Sequence, residues 1–141
     1  MGDTSDNPGL LLKYDRDHCK IYHEQDPECI RIVWNGFSKP LEFIEACDHA
    51  LTFLVEYKLD KLLVDNRKSS VVSKENQDWL LRDWYPRAYR NGYRTSAVVI
   101  GKNTLNQMSI KKIELAREGT EFNTKHFEDI DSARQWLKSM I

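Results

Sequence analysis

The chain has 141 residues, of which 21 are basic and 22 acidic, so its formal net charge is −1. This balance argues against the strongly basic surfaces that bind nucleic acids or anionic membranes. No apolar run is long enough to cross a bilayer, and the first residues lack the basic and apolar regions of a signal peptide. With 40% hydrophobic residues, the composition is that of a globular protein with one core, which we expect to be cytoplasmic.

The sequence predicts a single domain whose cysteines are reduced. Residues 1–9 are mostly polar, and we expect a flexible tail there, followed by a single domain over residues 10–141. Cys19, Cys29 and Cys47 are odd in number and form no C-x-x-C pair. We therefore expect free thiols, no metal site and no cofactor.

The first half of the domain predicts a hairpin and a helix. Residues Cys19 to Glu24 and Cys29 to Trp34 alternate between apolar and polar side chains, which is typical of two paired strands. A helix is expected to follow from Ser38, a favourable N-cap. Its apolar stripe is wide enough for deep burial or, alternatively, for contact with a partner subunit, and it comprises Phe43, Ile44, Ala46, Cys47, Ala50, Leu51, Phe53, Leu54, Val55 and Tyr57.

The centre of the chain predicts a βαβ unit. Short apolar runs, Leu62 to Val64 and Ala97 to Ile100, predict strands over Lys61–Asn66 and Thr95–Ile100 that are buried on both faces of a parallel sheet. A helix capped by Ser73 and reaching Tyr89 joins them, and Pro86 inside it predicts a kink or break between Arg82 and Tyr85.

The remaining sequence predicts a helix over Thr104–Ala116, a polar edge strand over Phe122–Phe127, and a last helix capped by Asp129. The order of elements is therefore β-β-α-β-α-β-α-β-α. We predict an α/β fold with a mixed, mostly parallel five-stranded sheet and four helices.

The most promising site lies where the third predicted strand ends. Open α/β sheets place ligands beyond the carboxyl ends of their strands. The candidates for contact with a ligand or partner are Asp65, Asn66, Arg67, Ser69 and Ser70. Ser69 and Ser70 are also candidates for phosphorylation, because Arg67, Lys68 and a helix N-terminus would stabilise a phosphate. The alternative is structural: Arg67 pairs with Asp65, and Ser73 only caps the helix.

The second predicted helix is rich in aromatic residues, and Trp79, Tyr85 and Arg87 are further binding candidates. A helix cannot turn all of its aromatic side chains inward, so some must meet solvent, a ligand or a partner. We consider a homodimer on these grounds. Arginines interleave with the aromatic residues, but Glu75 and Asp83 lie among them, and we expect no nucleic-acid partner.

The order of elements and several local motifs resemble the STAS superfamily, and in particular the uncharacterised bacterial SpoIIAA-like (STAS-like) proteins. The resemblance covers about residues 10 to 140. It is carried by the strand Leu63-Val64-Asp65-Asn66-Arg67, by Trp79 with Trp84-Tyr85-Pro86-Arg87-Ala88, by the strand Ala97-Val98-Val99-Ile100, and by Phe127, Ala133, Trp136 and Leu137 near the end.

The resemblance implies a single-domain SpoIIAA/STAS-like fold and a non-enzymatic regulatory or protein-interaction module that acts through the loop after the third predicted strand. In the anti-sigma-factor antagonists, a serine of this loop is phosphorylated in an Asp-Ser context with a following glycine. Here the loop has serines but neither feature. Similarity to lipid-carrier domains implies an alternative, a small-ligand or lipid-binding domain with a cavity beside the second helix. A protein partner or a small anionic or apolar ligand is therefore expected.

Overall fold

The structure is a computed structural model that describes residues 9–117 and 122–140. Within these residues, a six-stranded mixed sheet forms its centre. The predicted tail, apart from Gly9, lies outside the described residues. The strands are β1 (Leu10–Arg16), β2 (Cys19–Gln25), β3 (Glu28–Gly36), β4 (Lys61–Ser69), β5 (Thr95–Val99) and β6 (Asn123–Phe127). They are adjacent in chain order, antiparallel from β1 to β3 and parallel from β3 to β6. The predicted α/β class and mostly parallel sheet are confirmed.

The predicted number of five strands is wrong, because the sequence pattern does not reveal β1. Three consecutive leucines open this strand, and only Leu10 of the three is buried. The register with β2 then shifts between Leu12 and Tyr14, so Lys13 is an extra residue. A bulge of this kind breaks the period of two by which an antiparallel strand is recognised.

Four helices connect or follow the strands, as predicted. They are α1 (Pro40–Glu56), α2 (α-helical over Lys74–Trp79, π-helical over Leu80–Trp84 and α-helical over Tyr85–Arg90), α3 (Thr104–Ala116) and α4 (Ile130–Ser139). The π-helical turn ends two residues before Pro86 and overlaps the region in which a break was expected. Proline has no N–H and clashes with the preceding turn, which accounts for the irregularity.

The sheet carries helices on both faces. Helices α1, α2 and α3 cover one face, where Ile21, Ile30 and Leu62 pack with Leu54 and Trp84. Helix α4 covers the opposite face, on which the buried residues are Cys29, Leu63, Ala97, Val99, Ala133 and Leu137. Side chains of a strand point alternately to the two faces. The continuous apolar runs of β4 and β5 therefore supply both cores.

The face covered by α4 also buries one carboxylate. Glu24 is 3% exposed. Its Oε1 accepts hydrogen bonds from Nε and Nη2 of Arg31, at 3.0 and 2.8 Å, and its Oε2 accepts one from Nε of Arg134 at 2.6 Å. The charge of Glu24 is thus paired from a neighbouring strand and from α4, as a buried charge requires.

Candidate functional site

The first predicted site residues lie within β4, which extends three residues beyond the predicted end at Asn66. Asp65 is buried, and its Oδ1 accepts hydrogen bonds from the backbone N–H and from Nε of Arg67, both at 3.0 Å. Oδ2 accepts a third from Nη2 at 2.8 Å. These bonds raise the pKa of Arg67. Asp65 and Arg67 therefore form an ion pair, while half of the Arg67 side chain remains exposed.

The two serines after this pair differ in their surroundings. Ser69 is buried, and its Oγ accepts a hydrogen bond from Nδ2 of Asn106 at 3.1 Å. The same amide donates to the carbonyl oxygen of Ser70 at 2.8 Å, and the Ser70 N–H donates to the carbonyl oxygen of Gly36 at 3.1 Å. The Ser70 residue is half-buried. The end of β4 is thereby fixed to β3 and to the first turn of α3.

The start of α2 is fixed in the same way. Ser73 Oγ accepts a hydrogen bond from the backbone N–H of Asn76 at 3.1 Å, so Ser73 is the N-cap that the sequence suggested. The buried Asn76 side chain donates to the carbonyl oxygen of Ser38 at 3.1 Å. Val72 N–H donates to Ser109 Oγ at 3.1 Å. Segment 70–73 therefore contacts the chain before α1, the start of α2 and α3.

The three binding candidates on α2, Trp79, Tyr85 and Arg87, separate into two groups. Arg87 donates from Nη2 to Oδ1 of Asp48 at 2.7 Å and to Oδ2 of Asp83 at 3.1 Å. Its guanidinium carbon lies 5.9 Å from the centre of the Trp79 ring, which packs edge-to-face against Phe43 of α1. Trp79 and Arg87 thus join α2 to α1. Tyr85 instead lines a cavity beneath the helix.

This cavity lies between the sheet and helices α1–α3 and has a volume of about 120 Å³. Of the predicted site residues, Asn66, Ser69 and Tyr85 line it, whereas Asp65, Arg67, Ser70, Trp79 and Arg87 do not. Most of the wall is apolar, and its apolar members include Ile32, Trp34, Phe43, Leu62, Val64, Leu80, Trp84, Val98, Ile110 and Ile113.

Strand register places the polar residues of the cavity at two levels of the sheet. Ser69 pairs with Gly36 at the carboxyl ends of β4 and β3. Ser96 pairs with Leu62 near the amino ends of β5 and β4, and on its other side it pairs with Thr124. The cavity therefore has a carboxyl end beside Ser69 and an amino end beside Ser96.

Arg117, the residue directly after α3, lines the amino end of the cavity. Its Nη2 donates to Thr124 Oγ1 at 3.0 Å, and its guanidinium carbon lies 4.7 Å and 5.1 Å from the ring centres of Tyr85 and Phe122. Its Nη1 is buried and has no hydrogen-bond acceptor within residues 9–117 and 122–140. Over the same residues, no carboxylate lies within ion-pair distance of this guanidinium.

Two hydroxyl groups and one carboxylate accompany Arg117. Ser96 Oγ lies 3.2 Å from Thr124 Oγ1. The Tyr93 hydroxyl is near Ser96 and Arg117, although it does not reach hydrogen-bond geometry with Nη1, and burial raises the pKa of Tyr93. Glu114 Oε2 lies 2.7 Å from Nε2 of His126, and this hydrogen bond raises the pKa of His126. Glu114 therefore has its own partner.

Sequence analysis did not identify Ser96, Arg117 or Asn106 as site residues. A basic residue at the end of a helix usually interacts with the helix dipole, so Arg117 carried no distinguishing signal. Ser96 reads as an ordinary strand residue, and only the register of β5 with β6 brings it beside Thr124.

The described residues include no group of three or more His, Cys, Asp or Glu side chains placed to hold a metal ion. All three cysteines are buried free thiols. Burial raises the pKa of each. Within the described ranges, none of the helices is both long and apolar enough to traverse a lipid bilayer.

No protein-family model matches this chain, and no curated protein matches it significantly. Among solved structures, it is similar to an uncharacterized protein of the DUF3478 family from Shewanella loihica PV-4, which has a SpoIIAA-like fold. The TM-score is 0.55 at 16% sequence identity, over 92% of this chain and 93% of that chain. Similarity at this identity concerns the fold, because function depends on the site. The chain has a SpoIIAA-like fold, as the resemblance of its motifs implied.

Proposed function

We propose that this chain is a non-enzymatic binding domain that holds a small, mostly apolar ligand between the sheet and helices α1–α3. The observation that carries the proposal is the cavity of about 120 Å³. Protein interiors are close-packed, with few voids larger than a water molecule. A cavity with apolar walls and a few polar groups is instead the usual form of a ligand site.

The cavity volume limits the size of the ligand. An engineered apolar cavity of about 150 Å³ binds benzene. The present cavity is somewhat smaller, so a ligand that fills it is about the size of a single ring or a short branched chain. A long-chain lipid exceeds this volume unless the helices move.

Toluene tests the proposal, with a cavity-filling variant as the contrast. Val98→Phe places a ring in the cavity, whereas Val55→Phe makes the same change on the exposed side of α1. We expect toluene to raise the melting temperature of the wild type and Val55→Phe, but not of Val98→Phe. Toluene at ten times its Kd should stabilise the folded protein by about 1.4 kcal/mol. Equal responses from a folded Val98→Phe variant and the wild type would exclude this cavity as the binding site.

A second candidate function is protein interaction at the carboxyl edge of the sheet. Segment 70–73 is hydrogen-bonded there to the end of β3 and to α3. Exposed apolar side chains occur in this segment, in the chain that follows β3 and in α3: Phe37, Leu41, Val71, Leu105 and Met108. Contiguous exposed apolar area is a common mark of an interface. The partner that we propose to test first is a second copy of the chain.

Sedimentation at micromolar concentration tests this second candidate. Leu41, which is 81% exposed, is changed to Asp, and exposed Val55 on the same helix is changed to Asp as the control. We expect Leu41→Asp to dissociate a dimer that Val55→Asp retains. Ser70→Asp, which imitates a phosphate beside Arg67, tests whether modification at this edge controls association. A wild-type protein that sediments only as a monomer would remove the second copy as a partner.

A further inference from the structure

We propose that the ligand of the cavity is a small carboxylic acid, and that Arg117 binds its carboxylate at the amino end. This inference rests on the proposed function, since it names the chemical class of the ligand in the same cavity. The observation behind it is the buried Nη1 of Arg117, which has no acceptor in the part of the chain that the structure describes.

The guanidinium is held in place but incompletely satisfied. Thr124 accepts from Nη2, and the rings of Tyr85 and Phe122 contact the guanidinium carbon. A hydroxyl oxygen and aromatic rings stabilise a cation without neutralising it. Buried charges in proteins are normally paired, and the planar guanidinium fork matches the two oxygens of a carboxylate.

The neighbouring groups also suit an acid. Tyr93 carries its proton at neutral pH, as tyrosine ordinarily does, and its hydroxyl can donate to a ligand oxygen. Ser96 lines the same end of the cavity and supplies a second hydroxyl. Glu114, the carboxylate that lines the cavity, contacts His126 and leaves Arg117 without an ion-pair partner among the described residues. The apolar remainder of the cavity holds the uncharged part of the ligand.

The test compares benzoate with nitrobenzene, a neutral molecule of nearly the same shape, by calorimetric titration of the full chain. We expect the wild type to bind benzoate at least tenfold more tightly than nitrobenzene. Arg117→Gln should lose this preference while it retains nitrobenzene affinity. Arg90→Gln, an exposed arginine at the end of α2, is the matched control and should bind both probes as the wild type does.

Each other outcome overturns the inference. Equal affinities of the wild type for both probes would refute the carboxylate preference and leave the proposed function standing. Failure of both probes and of toluene would refute the two together. Glu118 and Glu121 follow Arg117 in the sequence, outside the described residues. Benzoate binding by the Glu118→Gln/Glu121→Gln variant alone would show that the chain itself neutralises Arg117, which also overturns the proposal.

Discussion

The two faces of the sheet hold opposite charges in different ways: Glu24 is buried, whereas Arg117 is half-buried and its Nη1 is enclosed. On the face covered by α4, the Glu24 carboxylate contacts the guanidinium groups of Arg31 and Arg134. On the face covered by α1–α3, Arg117 contacts a hydroxyl group and two aromatic rings. Packing and stability account for the first arrangement, because the buried carboxylate has two cationic partners. The second leaves Nη1 of Arg117 without an acceptor among the described residues, and this is the observation behind the ligand that we propose for that face.

The largest expected effect on stability comes from removing the Glu24 carboxylate on the face covered by α4. Glu24→Gln leaves two guanidinium groups facing each other without their shared carboxylate. Loss of one member of a buried ion pair costs about 3–5 kcal/mol, and we expect a fall near the lower end because Arg134 is partly exposed. Urea unfolding measures it, with the exposed Glu56→Gln as the control. A loss below about 1 kcal/mol would show that the arrangement is not structural.

Leucine truncations compare the packing of the two faces. Leu137 of α4 is fully buried against the sheet, whereas Leu80 of α2 lines the cavity. Leu137→Ala should lower the free energy of unfolding by about 3–4 kcal/mol, within the range of buried leucines. Leu80→Ala should cost about 1 kcal/mol less, because a side chain beside a void has fewer contacts to lose. Chemical denaturation of both variants measures the difference, and a larger loss for Leu80→Ala would contradict the comparison.

Removal of the unpaired charge of Arg117 should affect stability much less than removal of the Glu24 carboxylate. Arg117→Met removes a cation that has no carboxylate partner in the described chain, and it keeps an unbranched apolar side chain in the same space. We expect the free energy of unfolding to change by less than about 1 kcal/mol, since the lost contacts with the rings and the removed cost of burial offset each other. A loss above about 2 kcal/mol in urea unfolding would identify Arg117 as a structural residue.

The smallest expected effect on stability comes from the pair of His126 and Glu114 beside the cavity. The hydrogen bond to Glu114 raises the pKa of His126 above 6.5. The contribution of this hydrogen bond to stability is therefore fully present below pH 6.5, and it is lost as the pH rises through the folded-state pKa of His126. Because the His126 side chain is 41% exposed, we expect less than about 1 kcal/mol. Unfolding of the wild type and His126→Gln should differ at pH 6 and coincide at pH 9, and a constant difference would contradict this assignment.

Much of the fold could be predicted from the sequence because its strands carry strong local patterns. The apolar runs in β4 and β5 and the alternation in β2 and β3 indicated the correct elements, and Pro86 marked the irregular turn of α2. The consecutive leucines and the bulge of β1 removed its alternation, so that strand was missed.

The candidate site was less accessible to sequence analysis. The segment from Asp65 to Ser70 was proposed because a strand end is visible in the sequence, but all of it except Ser70 lies within β4. Pairing of Asp65 with Arg67 was one of the two alternatives considered, and the structure contains this pair. The amino end of the cavity depends on Ser96, Arg117 and Thr124, which three different elements bring together. Side chains that meet only through tertiary packing leave no local pattern, and Arg117 alone reads as an ordinary terminal cation.

The π-helical turn of α2 also decides which side chains face the cavity beyond it. The backbone N–H of Tyr85 donates to the carbonyl oxygen of Leu80, so these two residues lie one turn apart, and both line the cavity. In an uninterrupted α-helix, residues five positions apart differ in direction by about 140°. A single widened turn thus keeps Leu80 and Tyr85 on one face of α2, which a regular helix of the same sequence would not do.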